Sequence, residues 1–423
     1  MPTIIKAIRG MKDILPPETA RWQQVEQVAR QVFDLYGYQE MRLPLLERTE
    51  LFARSIGADT DIVAKEMYTL ADRHGESLTL RPEATAQVVR AVLENRLDKG
   101  SGVKKFYTIG PMFRYERPQK GRYRQFNQIN CEALGSDAPE LDAEVIFLLV
   151  DILRRLKIEQ LRLLINSLGC PECQVDFKAR LSLFLNAKEG WCEDCRRRRQ
   201  TNPLRVLDCK SQNCQELLSQ APLMLDCLCE ACAGHHLKVL KLLEKAGMAY
   251  EEQPRLVRGL DYYTRTAFEV AALGLGAQDA VAGGGRYNGL ARDLGGPDLP
   301  SIGFAIGEDR LLEILPPEFA QLKPAKIFLA TLGAAARQRA FHLLQDLRRQ
   351  DLAGEMDFEE RSLKVQMSLA DRLGATHVVI LGERELKEGQ ATVRHMATGR
   401  QEQASLDSLA EFLQSEVGGE PES

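Results

Sequence analysis

Residues Phe106–Gly135 read FYTIGPMFRYERPQKGRYRQFNQINCEALG. Two strand-like runs flank a loop from Glu116 to Arg122. Side chains alternate across a strand, so the second run has two faces. Asn127, Ile129, Cys131 and Ala133 share one face, and Phe126, Gln128, Asn130 and Glu132 share the other. A wet edge strand also alternates, but it does not explain the cations nearby. Arg114, Arg117, Lys120, Arg122 and Arg124 crowd around this one hairpin. Guanidinium and ammonium groups at such density suit nucleotide phosphates or a nucleic-acid backbone.

Three further stretches carry chemistry. Phe304–Leu312, FAIGEDRLL, is an apolar run that meets Gly307 and starts a helix. Glu308 and Asp309 suit the positive end of that helix, whereas Arg310 in the first turn does not. Its charge calls either for a nearby acid or for a ligand anion or base. Ala282–Leu290, AGGGRYNGL, has three consecutive glycines that permit close backbone approach. Arg258–Tyr263, RGLDYY, is read as a strand that sets one cation, one carboxylate and two phenols within six residues. Neither the G-x-G-x-x-G fingerprint nor a G-x-x-x-x-G-K-[ST] phosphate loop is present. Any ATP must therefore be held without a P-loop.

A chain of 423 residues exceeds one core and predicts two to four domains. Its net charge of -4 gives no global attraction to polyanions, so a nucleic-acid partner must be met by local patches. No apolar run reaches signal-peptide or membrane-spanning length, and a cytoplasmic location without membrane association is expected. After Pro16-Pro17, the residues Trp22, Val25, Ala29, Val32, Phe33 and Tyr36 recur at helical spacing, and a strand from Tyr38 to Leu46 follows. Residues 169–247 hold nine of the ten cysteines and the run Arg196–Arg199, and read as a mainly helical insertion. Beyond Pro316-Pro317 and Lys323-Pro324, the strands Lys326–Thr331 and His377–Leu381 alternate with helical patterns up to a closing helix at Ser405–Leu413. That texture predicts a separate α/β domain.

Taken together, these segments resemble the histidyl-tRNA synthetase family, within the class II aminoacyl-tRNA synthetases, over essentially the whole length. The helix and strand of Glu18–Pro44 are similar to motif 1, the hairpin bearing Arg114 and Phe126 to motif 2, and the strand–helix bearing Arg310 to motif 3. RGLDYY and AGGGRYNGL resemble the two histidine-specific segments, and Arg81–Thr85, RPEAT, the loop that holds the substrate amino group. The resemblance implies an α+β catalytic core with a mostly antiparallel sheet in residues 1–168 and 248–320. It also implies a helical insertion in 169–247 and an anticodon-binding α/β domain in 325–423. Catalytically silent paralogues that regulate histidine biosynthesis share the fold. They lack the anticodon domain and have eroded motifs, whereas Arg114, Arg258, Arg310, Glu83 and the C-terminal domain are present here.

The implied activity is ATP-dependent attachment of L-histidine to tRNA(His) through a histidyl-adenylate, with ATP and Mg2+ as substrate and no organic cofactor. By resemblance, Arg114 binds the α-phosphate and the substrate carboxylate. Arg258 reaches the α-phosphate from the other side, and an ion pair with Asp261 or another acid is its plainer role. Arg310 meets the outer phosphates or adenine, and Phe126 stacks on the base. Glu132, Tyr262 and Tyr263 select the imidazole. Glu83, Ala84 and Thr85 belong to the amino-group loop, Ala84 standing where glycine is frequent, and Gln128 lies between the amino and carboxylate ends. Gln119 and Lys120 face tRNA, and Arg196–Arg199 is either a further tRNA contact or a solvated helix face. A homodimer is implied, with Trp22, Val32 and Phe33 offering apolar contact. Cys170-x2-Cys173 and Cys192-x2-Cys195, 18 residues apart, have the spacing of one four-thiolate zinc site. Cys209, Cys214, Cys229 and Cys232 form a less regular second set. Because the family's chemistry needs no zinc, no residue is assigned as a metal ligand.

Overall fold

The computed structural model describes residues 4–57, 60, 62–118, 121–158, 160–272, 280–316, 319 and 327–418. Two compact units divide the chain, Met1–Ala320 and Gln321–Ser423. The expected boundary at Pro317 and Lys323-Pro324 falls outside the described residues.

The first unit is built on an eight-stranded sheet. Its order across is Gln39–Glu40, Lys104–Phe113, Gln125–Leu134, Ser301–Gly307, Ala280–Arg286, Thr264–Ala272, Leu161–Ser167 and Glu251–Glu252. The six inner strands pair antiparallel, and only the two-residue edge strands pair parallel. One face is covered by the helices Glu18–Leu35, Pro139–Arg155 and Glu230–Lys245, whose apolar stripes meet Ile129, Cys131, Ala133, Phe268 and Phe304 in one core. Phe33 stacks on Tyr107 at 4.3 Å. Trp22, Val32 and Phe33 are thus spent on the chain's own core and leave no apolar area for a partner. The expected strand from Tyr38 to Leu46 is also shorter. Only Gln39–Glu40 pairs with the large sheet, and Leu46–Arg48 joins Ser77–Leu80 and Tyr68–Ala71 in a second sheet of three strands.

A buried ion pair lies across this layer. Arg286 and the first-turn residue Asp142 are both fully buried, with Nη2 2.5 Å from Oδ1. Arg286 also donates to the carbonyls of Ser136 at 2.9 Å and Ala138 at 3.1 Å. Thr266 Oγ1 donates to Asp142 Oδ2 at 2.5 Å, and His235 Nε2 lies 2.9 Å from the same oxygen. Two strands, the central helix and the last helix of the insertion therefore meet at one carboxylate.

The insertion is helical throughout: Pro171–Asn186, Glu193–Thr201, Gln212–Leu217 and Glu230–Lys245, with short 3-10 turns between them. Phe177, Leu181, Leu185, Trp191, Val206, Leu218 and Met224 form its apolar cluster together with five cysteines. On the helix Glu193–Thr201, Arg196 and Arg197 are exposed, and Arg197 pairs with Asp194 at 3.3 Å. The cysteines correct the spacing argument. Cys170 and Cys173 gather with Cys229 and Cys232, not with Cys192 and Cys195, which gather with Cys209 and Cys214. Spacing reports which thiols are close along the chain, and here the chain leaves and returns before closing each set.

The second unit is a five-stranded sheet ordered Gly354–Met356, Ile327–Thr331, His377–Leu381, Gln390–His395 and Gln401–Ser405. The first three strands are parallel and the last two antiparallel. Helices Ala334–Arg349, Leu363–Arg372, Glu383–Glu388 and Leu409–Gly418 accompany it. Buried Ala336, Ala340, Leu343, Leu344 and Leu347 confirm the expected helical stripe. Ser405 ends a strand, so the closing helix starts four residues later than its periodicity suggests.

Two stability predictions follow from the buried charges. Asp142→Ala leaves the buried Arg286 with only the more distant, partly exposed Asp137 at 3.6 Å, and is expected to cost about 3–5 kcal/mol. Urea denaturation checks this, and a cost near that of an exposed pair, below about 1 kcal/mol, would refute it. Glu308, at the start of the helix Glu308–Ile314, is fully buried and neither carboxylate oxygen has a hydrogen-bond partner among the described residues. Burial, then Glu26 and Asp309, push its pKa up to about 9. The folded state thus keeps a proton that the unfolded chain releases near its ordinary value. The associated stability is present at low pH and lost as pH rises toward about 9. Glu308→Gln should be more stable than the parent, with a margin that widens from about pH 5 to about pH 9. A margin independent of pH would contradict it.

Candidate active site

Opposite the helical layer, the central strands open onto a cavity of about 330 Å³. Arg114, Phe126, Gln128, Glu83, Thr85, Arg258, Tyr262, Tyr263 and Arg310 all line it. Four separate stretches of chain thus deliver their polar residues to one place. The alternation in Gln125–Leu134 is responsible for part of this: Phe126, Gln128 and Asn130 line the cavity while Ile129, Cys131 and Ala133 lie in the core behind, although Asn127, expected on the core face, lines the cavity as well.

The cations are held from behind. Arg114 Nε donates to the Pro82 carbonyl at 2.9 Å, and its guanidinium lies 5.2 Å from the Phe126 ring centre. That stacking leaves a flat cation and a flat ring at the same wall. Arg310 donates to the carbonyls of Gly121 at 3.1 Å and Ala280 at 3.0 Å. Arg258 donates to Glu269 Oε2 at 2.9 Å, so its acid is Glu269 and not Asp261, which instead accepts from Asn202 at 2.9 Å. RGLDYY is not a strand either. It is an irregular loop that ends where the strand Thr264–Ala272 begins. The Arg258 guanidinium crosses Gly283 so closely that any Cβ there would collide with it. This close approach accounts for one of the three consecutive glycines.

At the other end of the cavity lie two buried carboxyls. Glu83 accepts the backbone N–H groups of Thr85 at 2.7 Å and Ala86 at 3.0 Å, which caps the helix Thr85–Glu94. Burial raises its pKa, against the opposing pull of those two bonds. Ala84 is fully buried at the N-cap position, set back from the cavity wall. Glu132 is also set back. Its Oε1 accepts from Thr85 Oγ1 at 2.6 Å and its Oε2 from Tyr287. Burial pushes its pKa up to about 8. Gly303 on the next strand leaves room for this carboxyl, since a Cβ there would overlap Glu132 Oε2. Tyr262 and Tyr263 lie 4.7 Å apart between ring centres, and Tyr262 meets Tyr287 edge-on at 5.7 Å. Gln128 Oε1 and Arg258 Nε are buried with no hydrogen-bond partner among the described residues.

Sequence reasoning missed Tyr287 and Glu269. Tyr287 sits inside AGGGRYNGL, where the glycines draw attention away from it. Glu269 is a carboxylate in the otherwise apolar run AFEVAA, and that isolation was its signal. Gln119 and Lys120 lie outside the described residues.

Comparison with known proteins identifies the family. The family described as "Histidyl-tRNA synthetase" matches residues 10–173 and 198–311, and "Anticodon binding domain" matches residues 326–416. The chain is 52% identical over 407 residues to a protein of Oleidesulfovibrio alaskensis named histidine–tRNA ligase, covering 96% of this chain and 98% of that one. A protein of the same name from Desulfosudis oleivorans is 50% identical over 409 residues, covering 96% and 97%. The crystal structure of apo S. aureus histidyl-tRNA synthetase superposes with a TM-score of 0.82 at 36% identity, covering 97% of this chain and all of that one. On sequence and on structure alike, the chain belongs to the histidyl-tRNA synthetase family.

Proposed function

We propose that this cavity joins L-histidine to ATP and then passes the histidyl group to tRNA(His). The observation that carries the reading is the convergence of Arg114, Arg258 and Arg310 on one cavity that also holds Phe126, Glu83 and two tyrosines. A histidine carboxylate oxygen attacks the α-phosphate in line, and pyrophosphate departs with the bonding electron pair. Attacking and attacked groups are both anionic, so fixed cations contribute most where charge gathers at phosphorus. Arg114 belongs to the hairpin whose strand Gln125–Leu134 borders Ser301–Gly307 on one side, and Arg258, from its loop, lies over Gly283 of the strand on the other side. The two guanidiniums thus reach the phosphate from different sides. Phe126 and Arg114 clasp adenine and α-phosphate, and Arg310 holds the outer phosphates, which Mg2+ accompanies. A terminal ribose hydroxyl of tRNA then attacks the acyl carbon, and AMP leaves.

The tyrosine-lined end takes the imidazole. Glu132 accepts a ring N–H while Thr85 and Tyr287 fix its carboxyl group; each oxygen keeps a second lone pair for this. Gln128 Oε1, lacking a partner, accepts from the substrate ammonium beside Glu83. Gln119 and Lys120 contact the acceptor end of the tRNA, and the second unit reads its anticodon. The enzyme works in the cytoplasm as a homodimer. Leu35, Leu45 and Leu46 are exposed around the motif 1 helix and its following segment, and supply apolar area that Trp22 and Phe33 do not. A sedimentation mass of one chain at micromolar concentration, with full activity, would overturn the dimer.

Two variants separate the ends of the cavity. Arg258→Ala should lower the single-turnover rate of adenylate formation by about 10²–10³, the scale of one preorganised donor. Transfer from preformed histidyl-adenylate should be partly spared. If Arg258 only props its loop through Glu269, both steps will fall together with the folded fraction. Glu132→Gln puts an amide nitrogen, which cannot accept, where one acceptor oxygen stood. KM for histidine should rise about 10–100-fold, as for loss of a charge-assisted hydrogen bond, while KM for ATP changes little. Equal damage to both would count against the assignment.

A further inference from the structure

We propose that the insertion binds two structural zinc ions in nested four-thiolate sites. The outer ion is held by Cys170, Cys173, Cys229 and Cys232, and the inner one by Cys192, Cys195, Cys209 and Cys214. In each set the four sulfur atoms all lie within 4.8 Å of one another. Cys170 Sγ is 3.4 Å from Cys173 Sγ, and Cys192 Sγ is 3.8 Å from Cys209 Sγ. A zinc–sulfur distance of about 2.3 Å in a tetrahedron requires sulfur–sulfur edges of about 3.8 Å. The thiols therefore need only small shifts to hold an ion. Four soft sulfur donors in a tetrahedron select zinc over the hard cations.

The backbone is arranged for thiolates. Cys170, Cys192 and Cys229 occupy the N-cap positions of the helices Pro171–Asn186, Glu193–Thr201 and Glu230–Lys245. Ser, Thr, Asp and Asn are the usual residues there, and none of these three side chains makes the usual capping bond to a backbone N–H of its helix. The second cysteine of each pair stands in the first turn, so both sulfurs lie at the positive end of a helix of nine or more residues. Backbone N–H groups also point at sulfur across each set. The Cys229 N–H donates to Cys173 Sγ at 3.1 Å, and the Cys192 N–H to Cys214 Sγ at 3.4 Å. Such donors orient and stabilise metal-bound thiolates.

The nesting also answers a mechanical need. Five of the eight thiols are buried in the insertion's own cluster, a core too small to stabilise so many short helices by burial alone. The outer site clamps the first helix to the last, where the chain leaves and rejoins the sheet. The inner site closes the segment between them. Cys173 is followed by Gln174, whose Nε2 donates to the Tyr263 carbonyl at 3.0 Å. The outer ion therefore lies one residue from a direct support of the tyrosine loop.

Metal analysis of the full chain purified without chelator tests this. Two zinc ions per chain are expected, and a mercurial titrated against the thiols should release them in two steps. Cobalt exchanged into the intact protein should show thiolate-to-cobalt charge-transfer bands for two tetrahedral sites. The double variant Cys170→Ser with Cys229→Ser should retain one zinc, because both changes strike the outer site. Cys170→Ser with Cys192→Ser should retain none, because one change strikes each site. Under the pairing suggested by spacing these two outcomes would be reversed, and that result would overturn the nested assignment. Absence of zinc from the intact protein, a single ion per chain, or the visible absorption of an iron–sulfur cluster would each overturn the proposal. Mild removal of the outer ion should raise KM for histidine without altering the metal count at the inner site. The metal counts stand whether or not histidine is the substrate.

Discussion

The pairing of Arg286 with Asp142 is the constraint from which the rest of the first unit is hung. Both groups are fully buried, so each would be costly alone, and the fold must bring them together to exist. Asp142 comes from the central helix, Thr266 and Arg286 from neighbouring strands, and His235 from the insertion. One carboxylate therefore fixes the register between sheet, helix layer and insertion. The residue after Arg286 lies just past the end of its strand. That residue is Tyr287, which donates to Glu132 at the back of the cavity. The Arg286–Asp142 pair and the buried Glu132 carboxyl are linked through one step of backbone.

Space for the polar groups is made by removing side chains from the strands beneath them. Gly283 lets Arg258 lie against the sheet, and Gly303 lets the carboxyl of Glu132 sit between strands. The result is a site with cations on the walls and buried carboxyls behind. Burial raises the pKa of both Glu83 and Glu132. Each is steadied by donors, Glu83 by a helix end and Glu132 by two hydroxyls. Preorganisation of this kind means that little must move when charge develops.

Much of this was legible in the sequence because it is written as local pattern. Alternation in Phe126–Glu132 separated most of the core from the cavity, and the misplaced cation Arg310 and the cluster around Arg114 marked two of the cavity's walls. What stayed hidden depends on distance in space. Glu83 was read as an amino-group ligand, yet its first task is to cap the helix that follows. Arg258 has two acids within reach along the chain, and only the fold shows that Glu269 is its partner while Asp261 faces the insertion. Trp22 and Phe33 looked like interface residues because helical periodicity shows which face is apolar but not what covers it. The thiol sets are the clearest case. Pairs close in sequence were split between two clusters, since nested closure leaves no trace in spacing.

RGLDYY shows why the insertion matters to chemistry. The loop has no strand partners, so ladder hydrogen bonds cannot set its shape. Its position is fixed from outside. The Asp261 N–H donates to the Ile56 carbonyl at 3.2 Å, and Asn166 holds the Leu256 carbonyl at 2.9 Å. Asn202 and Gln174, both from the insertion, hold Asp261 and the Tyr263 carbonyl. The Arg205 guanidinium lies against Gly259. Arg258, Tyr262 and Tyr263 must be held to within a fraction of an ångström if they are to favour one transition state and one ring. An irregular loop meets that demand only when its neighbours are rigid. The stiffness of the insertion thus becomes part of how the tyrosine loop is positioned.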